Sequence, residues 1–115
     1  PYTAYSAKKS FIDKHPEIIQ SFTNALQKGM DYVQSHTPKE IAVVIAPQFP
    51  ETTLNTITTI VTRYYDQDTW KDNLVFEKDS FELLQDILES AGELNSRAPY
   101  EDLVTTAFAK NALNH

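Results

Sequence analysis

The fold is decided by a stretch that reads Phe81-Glu82-Leu83-Leu84-Gln85-Asp86-Ile87-Leu88-Glu89-Ser90-Ala91-Gly92-Glu93-Leu94. Apolar residues recur in it at intervals of three and four, the period of a helix with one buried face. Asp79 and Glu82 have the spacing of a capping signature, and Gly92 is the expected residue just past the helix end. The sequence therefore predicts an amphipathic helix that ends at a glycine. Its predicted buried face consists of Phe81, Leu84, Ile87, Leu88 and Ala91.

Two further helices are predicted near the start of the chain. Pro16 suits a first helical position, where its missing N–H costs nothing, and the apolar residues from Ile18 to Val33 keep helical spacing. Thr37 and Glu40 have the spacing of a capping box, which predicts a short helix that Pro47 stops.

The segment 51–65 carries conflicting signals. Its six threonines, with an isoleucine pair and a valine, favour a strand on intrinsic propensity. Leu54, Ile57 and Val61 nevertheless follow helical spacing, and strict alternation fails at Thr58-Thr59. We therefore predict a helix here.

The two ends of the chain complete the predicted architecture. Pro1 to Tyr5 predicts a short extended lead-in, and Pro99 predicts the start of one last helix. The apolar side of that helix would contain Tyr100, Leu103, Val104, Ala107 and Phe108. The predicted fold class is mainly α, with about five helices plus a short N-terminal extended segment and no sheet.

Composition limits the function classes. With 115 residues and 41% hydrophobic content, the chain fits one domain with one modest core. The net charge is −6 and Lys8-Lys9 is the one adjacent basic pair, so nucleic acid is not expected as a partner. The lack of cysteine excludes disulfides and thiolate metal sites. The apolar run 41–46 is far shorter than the roughly 20 residues that span a bilayer.

The residues indicate no catalytic or metal chemistry. The three histidines fall at no metal-ligand spacing, and no serine lies in a nucleophile elbow. Asp66, Asp68 and Asp72 resemble a calcium loop, but Trp70 occupies the third ligand position and no glycine follows, which favours a solvated acidic loop. We expect no enzyme activity, no metal and no cofactor.

Trp70 is the one residue whose position suggests recognition. It is the only tryptophan, and it lies in a polar loop, 66–73, instead of on a periodic apolar face. A loop aromatic can stack on a ligand or a partner, or it can plug the loop onto the domain. The plug is the favoured interpretation. The same two interpretations, contact with a ligand or partner and packing on the domain, apply to Tyr2 and Tyr5 near the start of the chain.

The order and the local sequence of several segments resemble those of a known protein family. The chain resembles the C-terminal part of solute-binding proteins of ABC importers, in the class that serves nitrate, sulfonates, taurine and thiamine precursors. The segments that carry the resemblance are Ile-Asp-Lys-His-Pro-Glu-Ile at 12–18, Thr-Pro-Lys-Glu at 37–40, Gln-Asp-Thr-Trp at 67–70, Leu-Gln-Asp-Ile-Leu at 84–88, Ala-Gly-Glu-Leu at 91–94 and Ala-Pro-Tyr-Glu-Asp-Leu-Val at 98–104.

The resemblance implies a fold and a site. Residues 1–115 would be a single C-terminal fragment of a solute-binding domain, part of a two-lobed α/β periplasmic-binding-protein fold of type II. The N-terminal residues of the chain would return from the second lobe, and its helices would cover the first lobe. The implied ligand-binding residues are Tyr2 and Thr3 on the return segment, and Trp70.

The resemblance also implies a function. The intact protein would be the substrate-binding component of an ABC importer for a small organic or anionic solute, such as a pyrimidine or a sulfonate. It would act outside the cytoplasm, in the periplasm or lipid-anchored to the outer face of the cell membrane, and would dock on the ABC permease. The isolated fragment would not bind solute and would self-associate through its apolar stripes.

Two other classes compete with this interpretation. One is a stand-alone helical module for protein–protein interaction that presents an apolar face to its partner. The other is a thiamine-precursor-synthesising enzyme of similar fold, whose chemistry needs histidine and cysteine groups that this region does not offer.

Overall fold

The computed structural model describes residues 3–114. This part of the chain is mainly helical and contains no strand, so the predicted fold class is confirmed. Residues 3–8 form no regular secondary structure. The helices are α1 Lys9–Lys14, α2 Pro16–Ser35, α3 Pro38–Ile45, α4 Leu54–Asp66, α5 Lys78–Ser90, α6 Tyr100–Leu103 and α7 Ala107–Ala112, with a 3₁₀ turn at Ala46–Gln48.

The chain divides into two compact units. A central unit contains Ala25–Asn73, and a terminal unit contains Pro1–Asn24 together with Leu74–His115. The first half of α2 belongs to the terminal unit and the second half to the central unit. No helix in the described part of the chain is long and apolar enough to cross a bilayer.

The core of the central unit lies between α3 and α4. Its buried cluster consists of Ile41, Ala42, Ile57 and Val61, surrounded by the partly buried Tyr32, Val33, Ile45, Ala46 and Trp70. Apolar area removed from water is the main stabilising contribution here, at about 25 cal/mol per Å². The cluster places Trp70 on the edge of a packed core.

The threonines of α4 explain why strand propensity is overridden there. Thr53 caps the helix by accepting a hydrogen bond from the Thr56 N–H. The hydroxyls of Thr58 and Thr62 donate to backbone carbonyls four residues earlier, at 2.8 and 2.7 Å. Because these hydroxyls donate to carbonyls of their own helix, they are not left without hydrogen-bond partners. The spacing of the buried apolar residues therefore favours helix over strand. The predicted helix over this segment is confirmed.

The core of the terminal unit is centred on Phe81 of α5. The Phe81 ring is buried and meets the rings of Phe76 and Tyr100 edge to face, with centroids 5.9 and 5.6 Å apart. The buried Gln85 side chain donates to the Ala98 carbonyl and accepts from the Ala98 N–H, at 3.1 and 2.7 Å. The loop after α5 is therefore fastened to the helix by a buried amide.

Arg97 fastens the same loop from its outer side. Its guanidinium bridges Glu82, Asp86 and Glu89 at 2.8, 2.7 and 3.0 Å. The hydrogen bonds that Arg97 donates to these carboxylates, to Glu82 first, raise the pKa of Arg97 above its ordinary value. Three acids on consecutive turns of α5 thus converge on one cation.

Two predicted helix boundaries are wrong. α5 begins at Lys78 with Glu77 at its N-cap and no side-chain cap, so Asp79 lies inside the helix, and the Glu82 carboxylate accepts from Arg97 instead of from Asp79. The predicted single last helix is interrupted, since Val104 is extended with φ −121° and ψ 129°. It is followed by two more β-branched residues, which disfavour continuation of the helix.

Three further outcomes concern individual helices. The start of α2 at Pro16 and the capping box of Thr37 and Glu40 are confirmed. Gly92 has φ +74°, the left-handed conformation expected just past a helix end. Ile87, predicted on the buried face of α5, is exposed, because Phe81 and Gln85 turn the opposite side inward.

Candidate functional site

The predicted ligand-binding residues fall in different parts of the chain. Tyr2 lies outside the described residues. Thr3 is exposed in the irregular segment of the terminal unit, and Trp70 is partly buried in the central unit. Each is therefore described within its own unit.

The Trp70 side chain packs against the core of the central unit. It contacts the buried cluster between α3 and α4, and its ring lies 5.8 Å from the ring of Tyr64 at 51°. An aromatic ring in this position contributes buried apolar area to the loop that carries it. The geometry matches a plug that ties the loop to the domain.

Two glutamines of α2 hold the backbone of the Trp70 loop. The Gln34 Nε2 donates to the carbonyls of Trp70 and Lys71 at 3.0 and 3.2 Å, and the Gln27 Nε2 donates to the Asp72 carbonyl at 3.0 Å. Gln27 is buried, and its Oε1 has no hydrogen-bond partner in the described part of the chain. The loop is thus held by side-chain donors that satisfy its carbonyls.

Sequence reasoning missed these glutamines, although a signal was present. Gln20, Gln27 and Gln34 recur on α2 at seven-residue intervals, which places them on one side of the helix. Gln20 serves the terminal unit in the same way, since its Nε2 donates to the Phe108 carbonyl at 3.0 Å. A polar residue repeated at helical spacing beside an apolar stripe indicates a line of hydrogen bonds to neighbouring segments.

A small open cavity adjoins Trp70. Its volume is about 110 Å³, and it is lined by Val33, Gln34, Tyr65, Asp68 and Trp70. Sites that enclose small molecules usually measure about 300 to 1,000 Å³. The cavity could contribute one wall of a site but is too small to bury a solute.

A larger and shallower cavity lies against α3. It measures about 330 Å³ and is lined by Tyr32, Thr37, Lys39, Glu40, Val43 and Val44. The Tyr32 ring stacks on His36 with centroids 3.6 Å apart. The Glu40 carboxylate is already engaged, because it accepts from the Thr37 N–H at 2.8 Å and from the Thr37 hydroxyl at 3.0 Å. The Thr37 and Glu40 side chains on this side therefore belong to the helix cap.

The cap leads to a testable pH dependence. Hydrogen bonds from the Thr37 backbone and then its hydroxyl lower the pKa of Glu40 from its ordinary value of 4.5. Because the folded pKa is lowered, the stabilisation is fully present above about pH 4.5 and is lost as the pH falls through the lowered value. We expect the Thr37 amide resonance to titrate with a midpoint below 4.5 in an NMR pH series. Glu40→Gln should abolish the transition, and a midpoint at or above 4.5 would contradict the cap geometry.

No group of three histidine, cysteine, aspartate or glutamate residues within residues 3–114 is placed to hold a metal ion. In the acidic loop, Asp68 adopts φ +55° and pairs with Lys71 at 2.7 Å. Both side chains of that pair are exposed, so the pair adds little stability.

Comparison with known proteins gives one informative similarity. The chain is 33% identical over 110 residues to a Bacillus subtilis (strain 168) protein named "Putative binding protein YtlA". The alignment covers 96% of this chain and 33% of the relative, so the chain spans about a third of the relative's length. No family model and no solved structure matches the chain significantly.

Proposed function

We propose that the chain is the C-terminal third of the substrate-binding component of an ABC importer for a small organic or anionic solute. The observation that carries this proposal is the alignment of nearly the whole chain with one third of a relative whose name describes a binding protein. The segments quoted above, which resemble the nitrate, sulfonate, taurine and thiamine-precursor class, supply the solute class. In this proposal the protein acts outside the cytoplasm.

The apolar surface supports the idea that further polypeptide covers this chain. Its accessible surface is 8705 Å², whereas two separate compact bodies of half its mass would expose about 7,700 Å². Within residues 3–114, seven apolar residues are buried while fifteen large apolar residues are more than two-fifths exposed. Ile18 and Phe22 of α2 belong to the exposed set. A larger protein of which this chain is one third would bury such faces.

The mechanism proposed for the intact protein is closure of two lobes on the solute, followed by docking of the closed form on a permease. Closure shifts a population and requires no covalent chemistry. Tyr2 and Thr3 are the candidate ligand contacts of this chain, with Trp70 as the less favoured one, and groups from the other two thirds would supply most of the site. The cavity of about 110 Å³ beside Trp70 is too small to bury a solute and the cavity of about 330 Å³ against α3 is shallow, so the chain by itself is expected to bind no solute.

The isolated chain is expected to self-associate. Exposed apolar faces of this extent are poorly tolerated on a soluble monomer, and a second copy can cover them when the rest of the protein is absent. Self-association is in this proposal a property of the excised piece and not of the intact receptor.

A thermal-shift screen tests the proposal. The complete polypeptide, about three times the length of this chain, is melted with a pyrimidine, an alkyl sulfonate, taurine and nitrate, each at millimolar concentration. A bound solute at 100 times its dissociation constant stabilises the folded state by about 2.7 kcal/mol, which raises the melting temperature by several degrees. We expect one solute class to produce this shift. Unchanged melting with every compound would contradict the proposed function.

A further inference from the structure

Gly29 is a helical glycine that no contact within residues 3–114 explains. It is exposed and lies inside α2, which continues to Ser35. Its φ is not positive, unlike that of Gly92, so any L residue can adopt the Gly29 backbone conformation. A Cβ added at Gly29 would meet no heavy atom within 4 Å outside the neighbouring backbone of its own helix. Neither the backbone nor the packing of the described residues therefore requires glycine here.

Glycine at this position weakens α2. In a helix interior alanine is more favourable than glycine, because glycine loses more conformational freedom on folding. A missing Cβ is an advantage where the backbone of another segment comes close to the helix, since small side chains shorten the distance between packed elements. Gly29 is thus suited to a close contact that the described part of the chain does not itself make.

The shallow cavity against α3 lies one turn of α2 away from Gly29. Residues three apart on a helix are surface neighbours, which puts Gly29 beside Tyr32. Tyr32 lines the cavity of about 330 Å³ together with Val43 and Val44, which are 52% and 57% exposed. All four residues belong to the central unit. We call the surface that consists of Gly29, Tyr32, Val43 and Val44 the glycine face.

We propose that an apolar segment from the remaining two thirds of the same polypeptide packs on the glycine face, with its backbone against Gly29 and its side chains against Val43 and Val44. This inference deepens the proposed function, because it rests on the chain being one third of a larger protein. A covalently connected segment is present at a high effective concentration, so it occupies the face ahead of a separate protein. The exposed valines are buried by this contact.

The sign of one substitution tests the backbone contact. In the 115-residue chain, diluted until sedimentation shows a monomer, Gly29→Ala should raise the melting temperature by about 3 °C or more, because alanine is the better helix former and its Cβ enters open space. In the complete polypeptide the same substitution should lower the melting temperature by about 2 °C or more, because the Cβ overpacks the contact.

Lys28→Ala is the control for this reversal. Lys28 is exposed on the same helix, and lysine is almost never fully buried, so its side chain stays in solvent in both proteins. Its replacement should not reverse sign between the chain and the complete polypeptide. If Gly29→Ala prevents the complete polypeptide from folding, the labelling rates described next still decide the inference.

Thiol labelling measures coverage of the glycine face directly. The chain contains no cysteine, so Val44→Cys introduces a reporter whose modification by a maleimide is followed on the peptide that contains residue 44. Without any solute, labelling should be at least about tenfold slower in the complete polypeptide than in the chain, because it requires the covering segment to open. Glu51→Cys, at an exposed turn of the same unit, should be labelled at similar rates in both.

Four outcomes overturn the inference. One is a rise of the melting temperature of both proteins with Gly29→Ala, which shows that no backbone lies against Gly29. A second is equal labelling of residue 44 in both proteins, which leaves the face uncovered. A third is protection in the chain alone that grows with its concentration and does not increase in the complete polypeptide, which makes a second copy the occupant. The last is protection only with bound solute, which assigns the face to the ligand cleft.

Failure of this inference is distinguishable from failure of the proposed function. Melting and labelling are both measured without solute. A complete polypeptide that protects residue 44 but binds none of the screened solutes would contradict the proposed function and support the contact. A complete polypeptide that binds a solute but leaves residue 44 reactive would do the reverse.

Discussion

Replacement of Ile57 by alanine is expected to lower the free energy of unfolding by about 2 to 5 kcal/mol, the range for a buried isoleucine truncated to alanine. Ile57 is 4% exposed and belongs to the buried cluster where α4 packs on α3. The substitution removes three methyl or methylene carbons and leaves a cavity that the neighbouring Ile41 and Val61 cannot fully close. Urea unfolding followed by circular dichroism measures the loss.

The same helix offers a matched control. Ile60 is also an isoleucine of α4 but is 46% exposed, so Ile60→Ala should change the free energy of unfolding by about 0.5 kcal/mol or less. Equal effects of the two substitutions would show that the core does not lie on the Ile57 side of α4.

Trp70→Ala is expected to destabilise the complete protein by about 3 kcal/mol, the low end of the range for a large aromatic removed from a core, because the ring is only partly buried. Trp70 packs on the central cluster, and its backbone carbonyl accepts from Gln34. Once the variant is folded, its affinity for the solute should change less than threefold. Thermal melting and calorimetric titration of the same variant separate the two effects.

The opposite pattern would assign Trp70 to the ligand. If the tryptophan stacks on the solute, affinity should fall at least tenfold while the melting temperature barely moves. Phe49→Ala is the control for loss of an aromatic ring in the same unit, since Phe49 is 51% exposed and should affect neither quantity.

Local interactions made much of the fold predictable. The Thr37 and Glu40 cap depends on residues three positions apart, and the helix from Leu54 depends on the spacing of Ile57 and Val61. Such features need no knowledge of distant segments. The start of α2 at Pro16 belongs to the same class.

Distant contacts account for the errors. Glu82 was expected to cap α5 but is taken by Arg97, fifteen residues later in the chain. Ile87 fits the apolar period of α5, yet the buried Gln85 amide holds the Ala98 backbone and fixes which side turns inward. Sequence periodicity gives no information about such partners, because each is chosen by tertiary packing.

The candidate site was predicted less completely than the fold. Trp70 was recognised as a lone loop aromatic, and its packing on the core gives it a structural role. The glutamines at 27 and 34 that hold its loop were not recognised, because their effect depends on carbonyls some forty residues away. Tyr2 lies outside the described residues, so its role stays a prediction.

The central claim is that this chain is the scaffold third of a solute-binding protein. Isothermal titration calorimetry of the complete polypeptide and of the 115-residue chain, with the solute that gives the largest thermal shift, tests it most directly. The account predicts saturable binding near one solute per complete polypeptide and no measurable heat of binding with the chain alone, because one wall of a cleft cannot bury the ligand. Tight binding of the solute by the isolated chain would contradict it.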